Sequence, residues 1–400
     1  MGGVAPMKSV GIICECNPFH GGHGHLIQQA HESGADAVIC VMSGYFVERG
    51  EPAILDAHTR AKAILCGGAD AVLELPFPYS AASAEFFAAA GVRILDRLGV
   101  DELWFGSECG DLHVLERAAE ICDSEAFCRA YAEKSGGASG TAESYFALLH
   151  EYMGEDVTCL SNDILGIAYL RAMRQNGSAM RAVTVRRVGS AYAETSLSDG
   201  GFPSATALRR KWRTEGVEAV LSYLPNEVRD VYQGAGAIAD LKCAERALLA
   251  HFRLTPIETL EQIEALAGGL GTRMASAAQK ATTLEELLAL SATKKYTTAR
   301  LQRGILFALT GIERKDLLAV PAYARLLAAN EVGCAFLAKH RKQSDFPIVT
   351  RRKDLPDTQE AKRQAEIEER AYALYTLCFE DVTATESFWK RAAHISKNKP

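Results

Sequence analysis

The 400-residue chain contains no Gly-Lys pair, so a phosphate-binding loop of the G-x-x-x-x-G-K-[ST] type is excluded. No G-x-G-x-x-G follows its first β-rich run, which removes the dinucleotide fingerprint as well. No C-x-x-C occurs. The 11 cysteines (14, 16, 40, 66, 109, 122, 128, 159, 243, 334, 378) are odd in number and scattered, which argues against a disulfide framework or a structural zinc site and for a reducing, cytoplasmic setting. No apolar run approaches the roughly 18 residues that span a bilayer, so no membrane partner is expected. The opening Met1–Met7 lacks a basic region followed by an apolar stretch, so it does not read as a secretory leader, and the fold is expected to start at Met7. There is no internal repeat, no low-complexity tract and no excess of basic charge. With 44 Lys+Arg against 50 Asp+Glu the net charge is −6, so the surface as a whole is not built for nucleic acid.

What is present is the composition of a globular protein, 48% hydrophobic and 24% charged. The length predicts two or three domains. The first half alternates β-rich runs (Ser9–Cys14, Ala37–Met42, Ala71–Leu75, Glu102–Phe105, Arg181–Val188) with helical patterns (Gly22–Ser33, Asp56–Cys66, Ala81–Leu98, Ile164–Arg174). The strands are continuous apolar runs about 30 residues apart. That pattern predicts a doubly wound parallel α/β sheet, with ligands at the carboxyl ends of its strands. After about residue 215 the β-rich runs stop. Ile238–Phe252, Glu258–Ala267, Leu284–Leu290, Arg300–Leu309 and Ala322–Ala338 all read as helix. The expected division is a nucleotide-binding α/β domain over 7–215 and a mainly α-helical domain over 216–400. No feature specifies an oligomeric state.

The most informative stretch is Cys14-Glu15-Cys16-Asn17-Pro18-Phe19-His20-Gly21-Gly22-His23, which leaves the first strand and opens the first helix. A helix N-terminus offers unpaired N–H groups and partial positive charge, so it attracts phosphate. Gly21 and Gly22 allow close approach of a polyphosphate, and His20 and His23, three residues apart, can face one ligand. Imidazoles there can donate to phosphate oxygens as charge builds during displacement at phosphorus. A metal site on His20, His23 and His25 is the weaker reading, because no carboxylate or cysteine cluster completes it.

His-x-Gly-His at a strand-to-helix junction resembles the signature of the adenylyl-transferring superfamily that includes class I aminoacyl-tRNA synthetases and small-molecule nucleotidyltransferases. Further stretches narrow the resemblance. They are Gly11-Ile12-Ile13-x-Glu15-x-Asn17-Pro18-Phe19-His20-x-Gly22-His23, Met42-Ser43-Gly44, Arg49-Gly50-Glu51-Pro52-Ala53, Glu74-Leu75-Pro76, Phe105-Gly106-Ser107-Glu108, Asn162-x-Ile164-Leu165-Gly166, Ser204-Ala205-Thr206-x-x-Arg209, and Lys295-Tyr296-Thr297-x-Ala299-Arg300-x-Gln302-Arg303. Together they resemble the bacterial tRNA(Met) cytidine acetate ligase family over most of the chain. Three positions depart from the family pattern: Cys16 stands where Tyr is usual, Gly24-His25 replaces a more apolar pair, and Tyr192-Ala193-Glu194 lacks a His after Tyr.

The resemblance implies that acetate attacks the α-phosphate of ATP to give acetyl-adenylate and pyrophosphate. The acetyl group then passes to N4 of the wobble cytidine of elongator tRNA(Met). It implies His20 and His23 as catalytic residues. It implies ATP contacts from Ile13, Cys14, Glu15, Cys16, Asn17, Pro18, Phe19, Gly21, Gly22, Gly24, His25, Leu26, Gly106, Asn162 and Arg187. Mg²⁺ is expected with the triphosphate, although no dedicated carboxylate cluster is visible.

Each of these residues also has a plain alternative. Gly106 can be a turn glycine, Asn162 a helix N-cap, and Arg186 rather than Arg187 can face the ligand. Ser204, Thr206 and Arg209 suit the β- and γ-phosphates, or are an ordinary cap and basic turn. Arg49 can steer acetate or an RNA phosphate, or pair with Glu48 or Glu51. RNA is expected along three basic runs. Residues 181–215 hold seven Lys/Arg against three acids, 292–303 hold four against none, and 339–353 hold six against one. From these come Lys294, Lys295, Tyr296, Arg300, Arg303 and Lys342, with Tyr296 stacking on an unpaired base. Competing readings are a small-molecule adenylyltransferase, which leaves the helical half unexplained, and a non-catalytic RNA-binding relative. A synthetase would need a K-M-S-K-S-like loop, which is absent.

Overall fold

The computed structural model describes residues 7–134, 142–154, 160–187, 202–293, 296–382, 384–385 and 388–397. Eight strands form one sheet: β1 (Ser9–Cys14), β2 (Ala37–Ser43), β3 (Ala71–Leu75), β4 (Glu102–Ser107), β5 (Arg181–Arg186), β6 (Ala324–Ala329), β7 (Ile348–Val349) and β8 (His394–Ile395). Their order is β5-β4-β1-β2-β3-β6-β7, with β8 paired to β6. The five strands of the first half are mutually parallel. Every residue of β2 and β3 is buried, as continuous apolar runs predict for strands covered on both faces.

The helices that cover the sheet are α1 (Gly21–Glu32), α2 (Ala57–Cys66), α3 (Ala84–Arg97), α4 (Leu112–Asp123), α5 (Glu125–Lys134), α6 (Ala142–Met153), α7 (Ser161–Asn176) and α8 (Ala205–Glu215). One apolar cluster unites α3, α4 and α7 with one set of alternating strand residues, including Ile13, Ile39 and Leu73. The other set, including Ile12, Cys40 and Val72, packs with α1, α2 and the helices of the second half in a single continuous core. The chain runs from β1 outward through β2 and β3, then crosses to the other side of β1 for β4. The order therefore reverses between β1 and β4, the position where open α/β sheets open a ligand crevice.

One expectation is corrected. Ala322–Ala338 is not a helix but β6 followed by helix Glu331–His340. β6 lies antiparallel to β3, so the second half completes the sheet rather than only packing beside it. Tertiary partners override local preference here. Arg325 of β6 is buried against Glu74 of β3, with Nε to Oε2 at 2.6 Å, and lies 4.1 Å from the centre of the Phe388 ring. Asn330 ends the strand by capping the next helix through Gly333 N–H, while its amide donates to Asp70 at 2.9 Å.

Candidate active site

The turn after β1 is held from three sides. Arg60 of α2 is fully buried, and its guanidinium donates to the carbonyls of Leu55 (3.0 Å), Glu15 (2.7 Å), Ser43 (2.9 Å) and Gly44. It thereby ties the carboxyl ends of β1 and β2 together. Asn17 accepts from Ile54 N–H at 2.9 Å, and the Phe19 N–H donates to the Tyr232 hydroxyl at 2.8 Å. From α8, the buried Arg209 donates to the Asn17 carbonyl at 2.9 Å. Cys16 takes the left-handed conformation, φ 46°, where the chain turns out of the strand.

This frame fixes the two histidines. His20 is the N-cap of α1, and its Nδ1 accepts from Gly22 N–H at 3.1 Å. His23 completes a reciprocal cap, its Nδ1 accepting from His20 N–H at 3.2 Å. The ring centres are 4.0 Å apart. With each Nδ1 engaged as an acceptor, a neutral ring carries its proton on Nε2. Burial holds His20 well below the ordinary histidine value, aided by the charges of His23, Arg187 and Arg209, and burial brings His23 down to about 4. Both imidazoles are neutral at pH 7 and present Nε2–H donors.

They face a cavity of about 190 Å³ at the carboxyl ends of β1 and β4. The cavity gathers most of the residues expected from the sequence: Ile13, Cys14, Glu15, Cys16, Asn17, His20, His23, Leu26, Gly106, Asn162, Arg187, Ser204, Thr206 and Arg209. The buried Asn17 Nδ2 has no hydrogen-bond partner among the described residues, so the wall carries an unused donor. Ser204 caps α8 by accepting from Ala207 N–H, and Thr206 accepts from Arg209 at 3.3 Å. Arg187, not Arg186, lines the cleft; Arg186 instead donates to the Cys109 carbonyl. Asn162 is not the N-cap of α7, whose N-cap is Leu160 without a side-chain bond. Glu108 takes that role, accepting from the backbone N–H of Asn162 and Asp163, and it also holds the Asn162 side chain at 2.5 Å.

An adjoining cavity of about 80 Å³ takes in Gly22, His25 and Phe202. Four expected contacts, Pro18, Phe19, Gly21 and Gly24, line neither cavity. Pro18 and Phe19 are buried, and the Phe19 ring lies where a Cβ on Gly67 would stand only 2.2 Å from it. A Cβ on Gly21 would stand 2.2 Å from the Phe202 ring, so this glycine makes room for a side chain rather than for phosphate. Gly24 packs against Phe19. Arg49, read as able to steer acetate, also lines the cleft; sequence reasoning left out Val47, Glu48, Phe87, Phe105, Leu165 and Tyr169 from the site, all of which line it too. Burial raises Glu15 to about 6, countered by the bond from Glu48 N–H at 2.8 Å, and burial raises Glu48 as well. The Cys14 thiol lines the same wall and is held below its usual range by hydrogen bonds from Cys16 and Cys40.

The basic positions of the second half behave differently. Lys294 and Lys295 lie outside the described residues, as does Tyr192-Ala193-Glu194. Tyr296 is buried, its hydroxyl donating to the Gly268 carbonyl at 2.8 Å and its ring covered by Arg300 at 5.1 Å, so it offers no face for a base to stack on. Arg303 is drawn in beside the cleft and pairs with Glu48 at 3.2 Å. Lys342 sits in a turn whose Ser344 hydroxyl donates to the Arg97 carbonyl. Arg97 ends α3, the helix that leads into the start of β4, so Lys342 lies toward the amino ends of the parallel strands, away from the cleft at their carboxyl ends. Among the described residues no helix is long and apolar enough to cross a membrane, and no group of three His, Cys, Asp or Glu side chains is placed to hold a metal ion.

A family model described as HIGH Nucleotidyl Transferase matches residues 7–388. A tRNA(Met) cytidine acetate ligase of Syntrophotalea carbinolica is 38% identical over 363 residues, covering 86% of this chain and 85% of that protein. One from Acetivibrio thermocellus is 35% identical over 404 residues, covering 94% and 96%. Among solved structures, apo Thermotoga maritima TmcAL matches with a TM-score of 0.90 at 30% identity, over 98% of this chain and all of that one. The same protein bound with alpha-thio ATP matches with a TM-score of 0.88. With the family match spanning nearly the whole chain and identities of this size over most of both partners, the chain belongs to the tRNA(Met) cytidine acetate ligase family of HIGH nucleotidyl transferases.

Proposed function

We propose that the protein is an ATP-dependent ligase that activates acetate as acetyl-adenylate and acetylates N4 of the wobble cytidine of elongator tRNA(Met). The observation that carries this reading is the pair of neutral, cap-locked imidazoles facing a cleft at the switch point of the sheet. In the first step an acetate oxygen bonds to the α-phosphorus while the bond to the bridging oxygen breaks and pyrophosphate leaves. The two Nε2–H groups need no proton transfer to act. They are fixed donors for phosphate oxygens whose charge grows in the transition state. Arg187, Arg209 and the start of α8 supply positive potential for the departing phosphates, and the Asn17 amide supplies one more donor.

The carboxylates in the cleft, Glu15 and Glu48, are each held by other groups and, among the described residues, do not make a metal site with their neighbours. Mg²⁺ would therefore enter on the triphosphate itself, and no step is assigned to it.

In the second step the exocyclic amine attacks the mixed anhydride and AMP leaves. A buried, pre-ordered cleft favours that attack over hydrolysis. The names of the relatives and the nucleotide analogue bound by the Thermotoga protein support ATP and tRNA as substrates. The test is ATP–pyrophosphate exchange dependent on acetate, followed by nucleoside analysis of elongator tRNA(Met). Acetate-dependent exchange with N4-acetylcytidine at the wobble position is expected. Exchange with a different acid, or with a phosphorylated cofactor, would overturn the substrate assignment.

A further inference from the structure

Beside the adenylate cleft lies a second cavity of about 380 Å³. Glu48, Arg49 and Leu165 belong to the walls of both, so the two spaces meet across the loop that follows β2. The far wall is the start of helix Thr298–Thr310, with Thr298 and Gln302. The contact between loop and helix is tight. Gly50 has φ 76°, and a Cβ there would stand 2.4 Å from the backbone nitrogen of Arg303. The Arg303–Glu48 pair closes the same junction. The groove is thus built from both halves of the chain.

Its chemistry differs from that of the cleft. Two carboxylates, Glu48 and Glu51, border it beside Arg49; Glu48 is paired with Arg303, which leaves Glu51 as the groove's carboxylate acceptor for a hydrogen-bond donor. Glu51 belongs to the groove and not to the wall of the cleft. Gln302 Nε2 donates to Glu51 Oε1 at 3.4 Å, longer than a well-formed bond, so a better donor can take its place. Glu51 stands two residues after Arg49, which lines both spaces, and it is the foremost opposite charge acting on Arg209 inside the cleft. A carboxylate here accepts from the exocyclic amine of cytosine, whereas uracil presents a carbonyl oxygen at the same position and is repelled.

We propose that this groove is the acceptor subsite, in which Glu51 accepts a hydrogen bond from the N4 amine of an unpaired cytosine and turns that nitrogen toward the adenylate. The inference rests on the function proposed above. In the step it serves, a bond forms between N4 and the acyl carbon and the acyl C–O bond to AMP breaks. The departing phosphate keeps that electron pair and takes up the proton shed by the amine.

The test compares Glu51→Gln with wild type in three measurements. They are acetate-dependent ATP–pyrophosphate exchange, acetyl transfer, and competitive binding of unmodified elongator tRNA(Met) transcripts carrying C or U at the wobble position. Glu51→Gln is expected to lower transfer at least tenfold more than it lowers exchange, and to reduce the preference for the C transcript to within about twofold. Parallel loss of exchange and transfer, or an unchanged C-over-U preference, overturns the subsite. Should Glu51→Gln not fold, Glu51→Asp keeps the charge and withdraws it by one methylene; transfer at the wild-type rate in that variant would likewise overturn it. Wild-type protein that shows no acetate-dependent exchange would refute the acetate reading itself, a result recognisably different from a defect confined to the Glu51 variants.

Discussion

His23 does two jobs that one substitution can separate. Its Nδ1 accepts from His20 N–H at 3.2 Å as the third residue of α1, and its Nε2–H is free to face the cleft. Gln is a natural residue at that helix position because its carbonyl oxygen reaches back to the cap. His23→Gln is therefore expected to keep the cap and lose the imidazole donor. Losing the cap alone costs about 1 kcal/mol of stability, so His23→Gln should unfold at the wild-type midpoint and His23→Ala about 1 kcal/mol below wild type. Losing one donor aimed at developing charge costs about 10²–10³ in rate, roughly 3–4 kcal/mol of transition-state stabilisation. Both variants should thus lose acetate-dependent ATP–pyrophosphate exchange about equally, while only His23→Ala shifts the unfolding midpoint. Exchange restored to within tenfold of wild type by Gln would refute the reasoning, since the ring would then matter only as a cap.

Arg60→Met keeps the stem of the side chain and removes four donations to backbone carbonyls in a fully buried place. It should cost about 3–5 kcal/mol in urea unfolding; a loss below 1 kcal/mol would mean the clasp is dispensable. The pH dependence of stability has a definite sign at His23. Its value falls from 6.5 to about 4 on folding, so between those limits the unfolded chain binds more protons, and stability rises with pH through the window. That contribution is worth about 3 kcal/mol, fully present above pH 6.5 and lost as pH falls to 4. Glu15, raised from 4.5 to about 6, acts in the opposite direction between those values, so the His23 part is read as the difference between wild type and His23→Gln at pH 4.5 and 7; equal slopes would contradict it. Tyr296→Phe should cost about 1 kcal/mol of stability through the lost bond to Gly268 and leave the KM for tRNA within twofold; a tenfold rise would put Tyr296 on the RNA after all. Lys342→Glu should leave that KM unchanged as well, because its turn lies toward the amino ends of the strands, opposite the cleft.

The parts of the fold legible in the sequence are those where local signal and tertiary role agree. β1 to β4 are apolar runs between turn residues, and they are strands because both faces of the sheet are covered. The cleft was legible for the same reason. His20 and His23 sit where a strand gives way to a helix, and that junction alone brings both rings to one place, their Nδ1 atoms capping the helix and their Nε2 atoms left for the cleft. The cleft residues that escaped notice, such as Phe87 and Tyr169, are ordinary core types on α3 and α7, and only the packing of those helices over the strand ends turns them into a wall.

β6 shows the opposite case. Ala-Arg-Leu-Leu-Ala-Ala holds no β-branched residue and by propensity belongs in a helix. It is a strand because β3 would otherwise expose its edge, and because Arg325 finds Glu74 only from that position. The one local sign of the boundary was Asn330-Glu331, a cap with an acidic first turn, and Asn330 reads as such only once Asp70 is known to lie beside it. The same dependence on distant partners explains the basic run at 292–303. By composition it is a stripe for RNA. By structure Arg303 is spent on Glu48, in the loop that separates the cleft from the neighbouring groove, and Arg300 on Tyr296 and the carbonyls of Ala265 and Ala267. Charge counted along a sequence measures supply. Which of those charges reach a ligand is decided by the carboxylates, carbonyls and rings that the fold places within 3–5 Å of them.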